Sequence, residues 1–456
     1  MKSAFLTAAI TLFATPAFAV PPYARHVCPN GLEVLVVERH SAPLVTVEIA
    51  AHNGAMTEPP DFNGLSHLYE HMFFKGNKVL PDQAAYLVRS RELGMILHGK
   101  THIERVNYYI TTTPDHFADT MTFMRDAITS PLFDAKELDR ERVVVTGEMD
   151  RNESAPEFDF WRAVNRRVFW KYPSRRDPVG DRKTVLATTP EQMRTIQTRY
   201  YVPNNSILVV AGDVKPDDVF AKADALYAGW AKAPDPFLRF PLVRHPPIRR
   251  SEVVVVQKPV QTFTGTFEWQ GPSTGDVTVS DSYAADLVGA LLDDHASKFQ
   301  KSLVDSGTCV HAELHWSTQP NLGEIDLSFE STEANVDACV SAIRAELPKI
   351  RGADYFTDAE MTNAAHGIDI ALASKRETTQ GVTNLLTKFW AHSSLDYYGT
   401  YVARLSAVTR ADITKYLDGY VLNKPFVFGA MVSPTLATSI GRPHLEALVG
   451  IPRGGK

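Results

Sequence analysis

Cysteine is scarce in this sequence of 456 residues, which contains only Cys28, Cys309 and Cys339. Three widely spaced cysteines exclude a disulfide-rich scaffold, although the count allows one bridge between Cys309 and Cys339. The sequence has no CxxC pair and no cluster of cysteine with histidine. If the protein binds a metal ion, we therefore expect histidine and carboxylate ligands.

Long apolar runs and an excess of basic charge are also absent. After residue 19, no stretch approaches the roughly 20 apolar residues of a membrane-spanning helix. The formal net charge of -6 leaves no basic surface for nucleic acid. Hydrophobic residues make up 44% and charged residues 22%, which is typical of a globular protein, and the length suits two domains.

The first 19 residues form a separate segment. Lys2 supplies a positive start, residues 4–15 are largely apolar, and residues 17–19 read Ala-Phe-Ala, a small-x-small cleavage site. The apolar run is too short to cross a bilayer. We therefore predict a cleaved signal peptide at residues 1–19 and export of the remaining chain.

The rest of the chain contains an internal repeat, in which the second half follows the same pattern of strands and helices as the first. Residues 31–38 and 43–50 have the composition of neighbouring strands, and 250–257 and 261–269 repeat that pattern. Near the end of each half, a capped helix (Thr189 to Tyr200, Thr409 to Tyr420) is followed by an apolar strand. A repeat of about 210 residues is too long for a solenoid and indicates duplicated domains.

Proline marks the junction between the two halves. Five prolines between residues 234 and 247 favour an extended linker over a helix. We predict a first domain at 20–235, a linker at 236–250 and a second domain at 251–456. Each half mixes strands at its ends with helices in its middle, which predicts an α+β fold.

The segment from Gly64 to Phe74 contains the candidate chemistry, His67-x-x-Glu70-His71. On a helix, residues four apart share a face, so both imidazoles can reach one cation. Glu70 lies on that face too and is placed to act as a general base. The alternative is an ordinary helix with a solvent-facing carboxylate.

Catalytic zinc sites usually have three protein ligands. A helix beginning after Asp134 would carry Glu141 and Glu148, which lie two turns apart on one face. By spacing alone, either carboxylate could be the third ligand, or both could be solvated.

The order His-x-x-Glu-His is the inverzincin signature. Together with Gly64, Phe74 and Lys75-Gly76, it resembles the pitrilysin/insulinase family, which includes the mitochondrial processing peptidase and insulin-degrading enzymes. In that family the last zinc ligand is a Glu separated from the motif by about 76 residues, and 76 residues lie between His71 and Glu148. The resemblance therefore implies one Zn²⁺ held by His67, His71 and Glu148, and an acidic residue at Glu141 that orients or tunes the site.

The resemblance covers nearly the whole chain after residue 19. It implies two homologous α+β domains that enclose a chamber, with zinc on the first domain. It also implies cleavage of peptides or unfolded polypeptides, with Glu70 as the general base. With the predicted signal peptide, it implies a periplasmic location. The alternative is a structural or binding subunit that has the same fold without turnover.

Two departures from the family concern substrate binding. Family peptidases usually have Asn-Ala-x-Thr on the strand that pairs with the substrate, whereas this chain has His98-Gly99-Lys100-Thr101. Backbone groups make such pairing, so the strand can still bind a peptide. His98 can equally be a plain surface residue.

The second departure lies in the second half. Active members have an Arg and a Tyr seven residues apart, and the matching positions here are Leu303 and Val310. Neither side chain can donate a hydrogen bond. The pattern therefore resembles the zinc chain of a two-chain peptidase, whose homologous partner supplies the Arg and Tyr. The alternative is substitution by a nearby residue, namely Lys298, Lys301 or His311.

Overall fold

The computed structural model describes residues 22–275, 280–317 and 319–451. The predicted signal peptide at 1–19 lies outside these residues. Among the described helices, none has both the length and the apolar character needed to span a bilayer.

Two mixed sheets organise the described part of the chain, one in each half. The strands of the first half are β1 (Ala24–Val27), β2 (Glu33–Glu38), β3 (Val45–Ala51), β4 (Ile96–Thr101), β5 (Val106–Thr112) and β6 (Ser206–Gly212). Those of the second half are β7 (Glu252–Gln257), β8 (Phe263–Gly271), β9 (His311–Ser317), β10 (Gly323–Ser331) and β11 (Val427–Val432).

Helices occupy most of the chain between these strands. The first half contains α1 (Leu65–Phe73), α2 (Gln83–Glu92), α3 (Phe117–Thr129), α4 (Ala135–Glu153), α5 (Pro156–Val168), α6 (Arg182–Leu186), α7 (Pro190–Tyr200), α8 (Pro216–Tyr227) and α9 (Pro236–Arg239). The second half contains α10 (Ser280–Asp293), α11 (Lys298–Gln300), α12 (Val336–Glu346), α13 (Asp358–Lys375), α14 (Thr379–His392), α15 (Leu395–Ser406), α16 (Arg410–Tyr420), α17 (Pro434–Ser439) and α18 (Arg442–Leu448). The predicted α+β class is confirmed.

The two sheets have the same topology. Their strand orders are β1-β2-β6-β3-β5-β4 and β7-β11-β8-β10-β9. Apart from β1, each strand of the first sheet has its counterpart in the second, and the single parallel pair (β2 with β6, β7 with β11) recurs. This correspondence matches the duplication that the sequence predicts.

One predicted strand position is wrong. Residues 43–50 were expected beside 31–38, but β6 lies between β2 and β3, with Val210 opposite both Val36 and Val47. All seven residues of β6 are buried. Its alternate residues enter two different hydrophobic cores, so both of its faces are covered. Its central position gives it a hydrogen-bonded partner strand on each edge.

The two halves exchange helices across their sheets. Helix α14 of the second half lies on β3, β5 and β6, and α5 of the first half lies on β7, β8 and β11. Gly429 on β11 permits the second contact, because a Cβ there would lie 2.6 Å from Val164 Cγ2 of α5. Each half therefore completes the core of the other.

The boundaries predicted from the proline-rich stretch stay a prediction. Residues 241–249 run without helix or strand, while α9 lies at the start of the predicted linker. Cys309 and Cys339 form a disulfide that ties the start of β9 to α12. Cys28 is a buried free cysteine.

Candidate metal centre

Helix α1 carries the His-x-x-Glu-His motif on its less buried side. Leu65, Leu68 and Met72 on its other side are buried in the core of the first half. The helix follows Gly64, whose φ of 91° is left-handed. A Cβ there would also lie 2.7 Å from the carbonyl oxygen of Val179, so only glycine fits.

A buried carboxylate caps the start of α1. Glu58 accepts hydrogen bonds from the backbone N–H groups of Gly64 (2.8 Å) and Ser66 (2.6 Å). It supplies the cap that Gly64, which has no side chain, cannot supply. Burial raises the pKa of Glu58 to about 7, although these donors favour the ionised form.

His67, His71 and Glu148 come together on α1 and α4. Glu148 Oε2 lies 3.7 Å from His67 Nε2 and 3.6 Å from His71 Nε2. The two imidazole planes meet at 89°, with ring centroids 4.8 Å apart. All three donor atoms lie within 4.8 Å of one another.

This donor set fits a zinc ion. For bond lengths of about 2.0–2.2 Å, neighbouring ligand atoms of a tetrahedral site lie roughly 3.4 Å apart. The separations of 3.6 and 3.7 Å between Glu148 Oε2 and the two Nε2 atoms therefore need only a small contraction. Burial lowers the pKa of His67 to about 4, which leaves its imidazole neutral, the form that binds metals.

Glu141 lies behind His71, on the opposite side of the ring from Glu148. Its Oε2 is 3.0 Å from His71 Nδ1, and its Oε1 is 2.7 Å from Lys75 Nζ. Burial opposes ionisation of His71, but the hydrogen bond to Glu141 and the neighbouring carboxylates outweigh it and raise the pKa of His71. The spacing of Glu141 and Glu148 left both candidates open, and the structure puts only Glu148 between the two Nε2 atoms.

Glu70 points from α1 toward strand β4. Thr101 Oγ1 donates a 2.7 Å hydrogen bond to Glu70 Oε2. The approach is close, because a Cβ on Gly99 would lie 2.8 Å from both Cγ and Oε1 of Glu70. Burial raises the pKa of Glu70, and the Thr101 hydrogen bond opposes that rise.

Strand β4 is an edge strand. Among the described strands it pairs only with β5. Alternate residues of β4, including His98, are exposed, and the His98 ring stacks on Tyr109 at 5.1 Å. A cleft of about 410 Å³ adjoins the strand and is lined by Phe74, Gln83, Tyr86, Leu87, Ser90, Leu97, His98 and Gly99.

The residues at the Arg/Tyr positions differ in their surroundings. Leu303 is fully buried in the core, whereas Val310 is 51% exposed. Of the alternatives, Lys298 donates to the carbonyl of Asp354 (2.5 Å), and His311 lies 3.4 Å from Glu313. Both side chains therefore contact residues of their own half of the chain.

Sequence reasoning missed Glu58 and the contact between Thr101 and Glu70. Glu58 stands six residues before Gly64 in an irregular segment, where no capping pattern signals its role. The hydrogen bond of Thr101 depends on strand β4 returning over α1. No local sequence pattern predicts either contact.

Comparison with known proteins places these observations in a family. Residues 33–175 match the model described as Insulinase (Peptidase family M16), and residues 187–368 match the Peptidase M16 inactive domain. An Arabidopsis thaliana protein, the probable beta subunit of the mitochondrial-processing peptidase, is 25% identical over 431 residues, which cover 88% of this chain and 77% of that protein. The probable zinc protease PqqL of Escherichia coli is 28% identical over 203 residues, covering 42% of this chain and 21% of PqqL.

Solved structures agree on the fold. A Helicobacter pylori protease has a TM-score of 0.82 at 19% identity, covering 90% of this chain and all of that one. The periplasmic protease PqqL has a TM-score of 0.76 at 16% identity, covering 95% of this chain and 50% of PqqL. The chain spans about half or less of the length of the first curated relatives that it matches. From the two family matches and this shared two-domain fold, we conclude that the chain belongs to the peptidase M16 (insulinase) family.

Proposed function

We propose that this protein is a zinc-dependent endopeptidase that hydrolyses peptides or unfolded polypeptides. His67, His71 and Glu148 hold the zinc ion, and Glu70 is the general base. One observation carries the proposal: two imidazole nitrogens and a carboxylate oxygen converge within 4.8 Å on the face of α1 that also presents Glu70. Relatives named as zinc proteases support the choice of metal.

Zinc, when bound, acts as a Lewis acid that polarises the scissile carbonyl and lowers the pKa of the attacking water. Glu70 accepts the proton of that water and delivers it to the leaving amine. Thr101 holds the Glu70 carboxylate through Oε2, so Oε1 remains available for proton transfer. Because Gly99 on β4 has no side chain, there is space beside the strand for the Glu70 side chain.

Glu141 positions a ligand without touching the ion. It accepts the Nδ1 proton of His71, which leaves the Nε2 lone pair directed toward Glu148. Lys75 neutralises the buried Glu141 carboxylate from its other side. This arrangement fixes both the tautomer and the orientation of the His71 ring.

The substrate binds as an added strand along β4. Among the described residues, no strand pairs with the outer edge of β4, so its backbone N–H and C=O groups next to Glu70 can pair with a peptide. The neighbouring cleft, with Phe74, Tyr86 and Leu97 in its wall, accepts a large apolar side chain of the peptide. Because the main chain does the pairing, His98 in place of the family's usual Asn changes selectivity rather than binding.

A homologous partner chain completes the substrate site. Leu303 and Val310 stand where active relatives have Arg and Tyr, and neither can hold a substrate through a hydrogen bond. The similarity to a peptidase subunit from Arabidopsis supports an assembly of two chains that encloses a chamber. With residues 1–19 removed as a signal peptide, this assembly would reside in the periplasm, where PqqL is found.

The experiment is peptide hydrolysis by the purified chain, with zinc measured on the same sample. Glu70→Gln is the matched control, since it removes the base but none of the ligands. We expect the wild type and Glu70→Gln to bind one equivalent of zinc each at this site. We expect cleavage of a fluorogenic unfolded peptide only by the wild type, and stronger cleavage once the homologous partner is added.

The other outcomes are distinct. Full activity of the chain alone would overturn the partner proposal and leave the peptidase proposal intact. Zinc binding without hydrolysis, even with the homologous partner, would identify a structural or binding subunit. A chain whose His67→Ala variant binds as much zinc as the wild type would refute the ligand assignment.

A further inference from the structure

A second group of metal-binding side chains lies on the other end of the first sheet. His26, Cys28 and Asp224 present an imidazole nitrogen, a thiol sulfur and a carboxylate oxygen, all within 4.8 Å of one another. His26 Nε2 is 2.9 Å and 3.0 Å from the two carboxylate oxygens of Asp224. Burial, and after it the neighbouring Asp224 carboxylate, raise the pKa of the Cys28 thiol.

The sequence predicted no cluster of cysteine with histidine. The structure shows one, because the fold brings a third side chain to His26 and Cys28. His26 and Cys28 are two residues apart, so they project to the same side of strand β1 and its extension. Asp224 belongs to α8, almost 200 residues later in the chain. Only packing of α8 against β2 brings the third group to the other two.

The surrounding backbone holds these groups in place. The Cys28 N–H donates to Leu32 O (2.9 Å), and the Cys28 carbonyl accepts from the Gly31 N–H (2.8 Å), which closes the turn between β1 and β2. Asn30 in that turn donates to the carbonyls of Tyr227 (2.8 Å) and Trp230 (3.0 Å), at the end of α8. The hairpin and the helix therefore form a rigid frame around the three side chains.

We propose that His26, Cys28 and Asp224 bind a second divalent metal ion of the zinc class. Thiolate, imidazole and carboxylate are the three ligand types that zinc takes in proteins. A thiolate and a carboxylate carry two negative charges that the ion neutralises, which matters because Cys28 is only 4% exposed. His26 and Asp224 are about one-third exposed, so an ion can enter and water can complete the tetrahedron.

The ion also accounts for the odd cysteine. Cys309 and Cys339 are bonded to each other, which leaves Cys28 as the unpaired thiol. A buried thiol beside a histidine and an aspartate is poorly placed to bridge to another molecule. As a metal ligand, it would join the first strand of the described chain to α8, on the opposite edge of the sheet from β4.

Cobalt substitution tests this site without any variant. We expect the full chain, stripped of metal and reloaded with Co²⁺ in a buffer free of thiol reductant, to bind two ions. A thiolate ligand gives Co²⁺ a near-ultraviolet charge-transfer absorption, which histidine and carboxylate ligands do not give. His67, His71 and Glu148 contain no sulfur, so this band reports only on Cys28 while the disulfide is intact.

Two variants then separate the sites. Cys28→Ser should bind one ion and lose the band, whereas His67→Ala should bind one ion and keep it. One ion without the band in the wild type would overturn the second site and leave the proposed peptidase centre untouched. One ion with the band would support the second site and count against the catalytic zinc. A band that persists in Cys28→Ser would refute the assignment.

Discussion

Replacing Glu58 with glutamine should change how the stability of the protein depends on pH. The Glu58 carboxylate is fully buried beneath the start of α1, and burial raises its pKa from 4.5 to about 7. The folded state therefore binds a proton more tightly than the unfolded state does. The stability contributed by this proton is fully present below pH 4.5 and is lost as the pH rises through 7. Glutamine cannot titrate, so the variant should lack this contribution.

The size of the effect follows from the two pKa values. A shift of one pKa unit corresponds to about 1.4 kcal/mol, so the rise from 4.5 to about 7 makes the wild type gain roughly 2.5 kcal/mol over the variant between pH 8 and pH 5. All other titrating groups are shared by the two proteins and cancel in this difference. Because Glu58 caps α1, the variant should also be less stable than the wild type at pH 5.

Urea unfolding at several pH values measures the difference directly. Glu191→Gln is a suitable control, since it makes the same chemical change at a side chain that is 78% exposed. A Glu58 difference that stayed constant, or grew as the pH rose, would refute the reasoning. It would mean that the Gly64 and Ser66 N–H groups keep the carboxylate ionised in spite of its burial.

Three further predictions concern the site and the core. Glu141→Gln should weaken zinc binding by about 10- to 100-fold in a chelator competition, because His71 loses its charged partner. The control Asp139→Asn, an exposed change on the same helix, should have no effect on zinc affinity. Equal zinc affinities of Glu141→Gln and the wild type would contradict the role of Glu141. Thr101→Val should move the acidic limb of the pH–rate profile up by about one to two pH units, because the ionised Glu70 loses a hydrogen bond worth roughly 1.5–3 kcal/mol. An acidic limb that does not move would rule out this contact. Leu386→Ala, in the exchanged helix α14, should lower the free energy of unfolding by about 2–5 kcal/mol and leave a single unfolding transition. Two separate transitions would show that the halves fold independently.

Short-range patterns in the sequence correctly predicted several helices. The capping boxes at Thr189 and Thr409 begin helices α7 and α16 where they were expected. The spacing of His67, Glu70 and His71 suffices to put all three side chains on one side of α1. These features depend only on residues within one or two helical turns, which the order of residues specifies.

Spacing alone could not choose between Glu141 and Glu148, and only the family resemblance indicated Glu148. Both lie on the same face of α4, and only the packing of α4 against α1 decides which carboxylate reaches both Nε2 atoms. The cap supplied by Glu58 and the bond from Thr101 to Glu70 also join segments that are separate in the chain. Their geometry depends on tertiary contacts rather than on any local preference.

By itself, the sequence determined that a zinc-type motif lies on a helix within a duplicated α+β chain. The tertiary structure decided that β6 enters the middle of the first sheet, that α5 and α14 each cover the sheet of the other half, and that Asp224 meets His26 and Cys28. Helix periods and caps arise from bonds between near neighbours. Strand insertion, helix exchange and metal clusters arise because apolar faces and charged groups must be covered or paired somewhere, and many distant segments compete to do so.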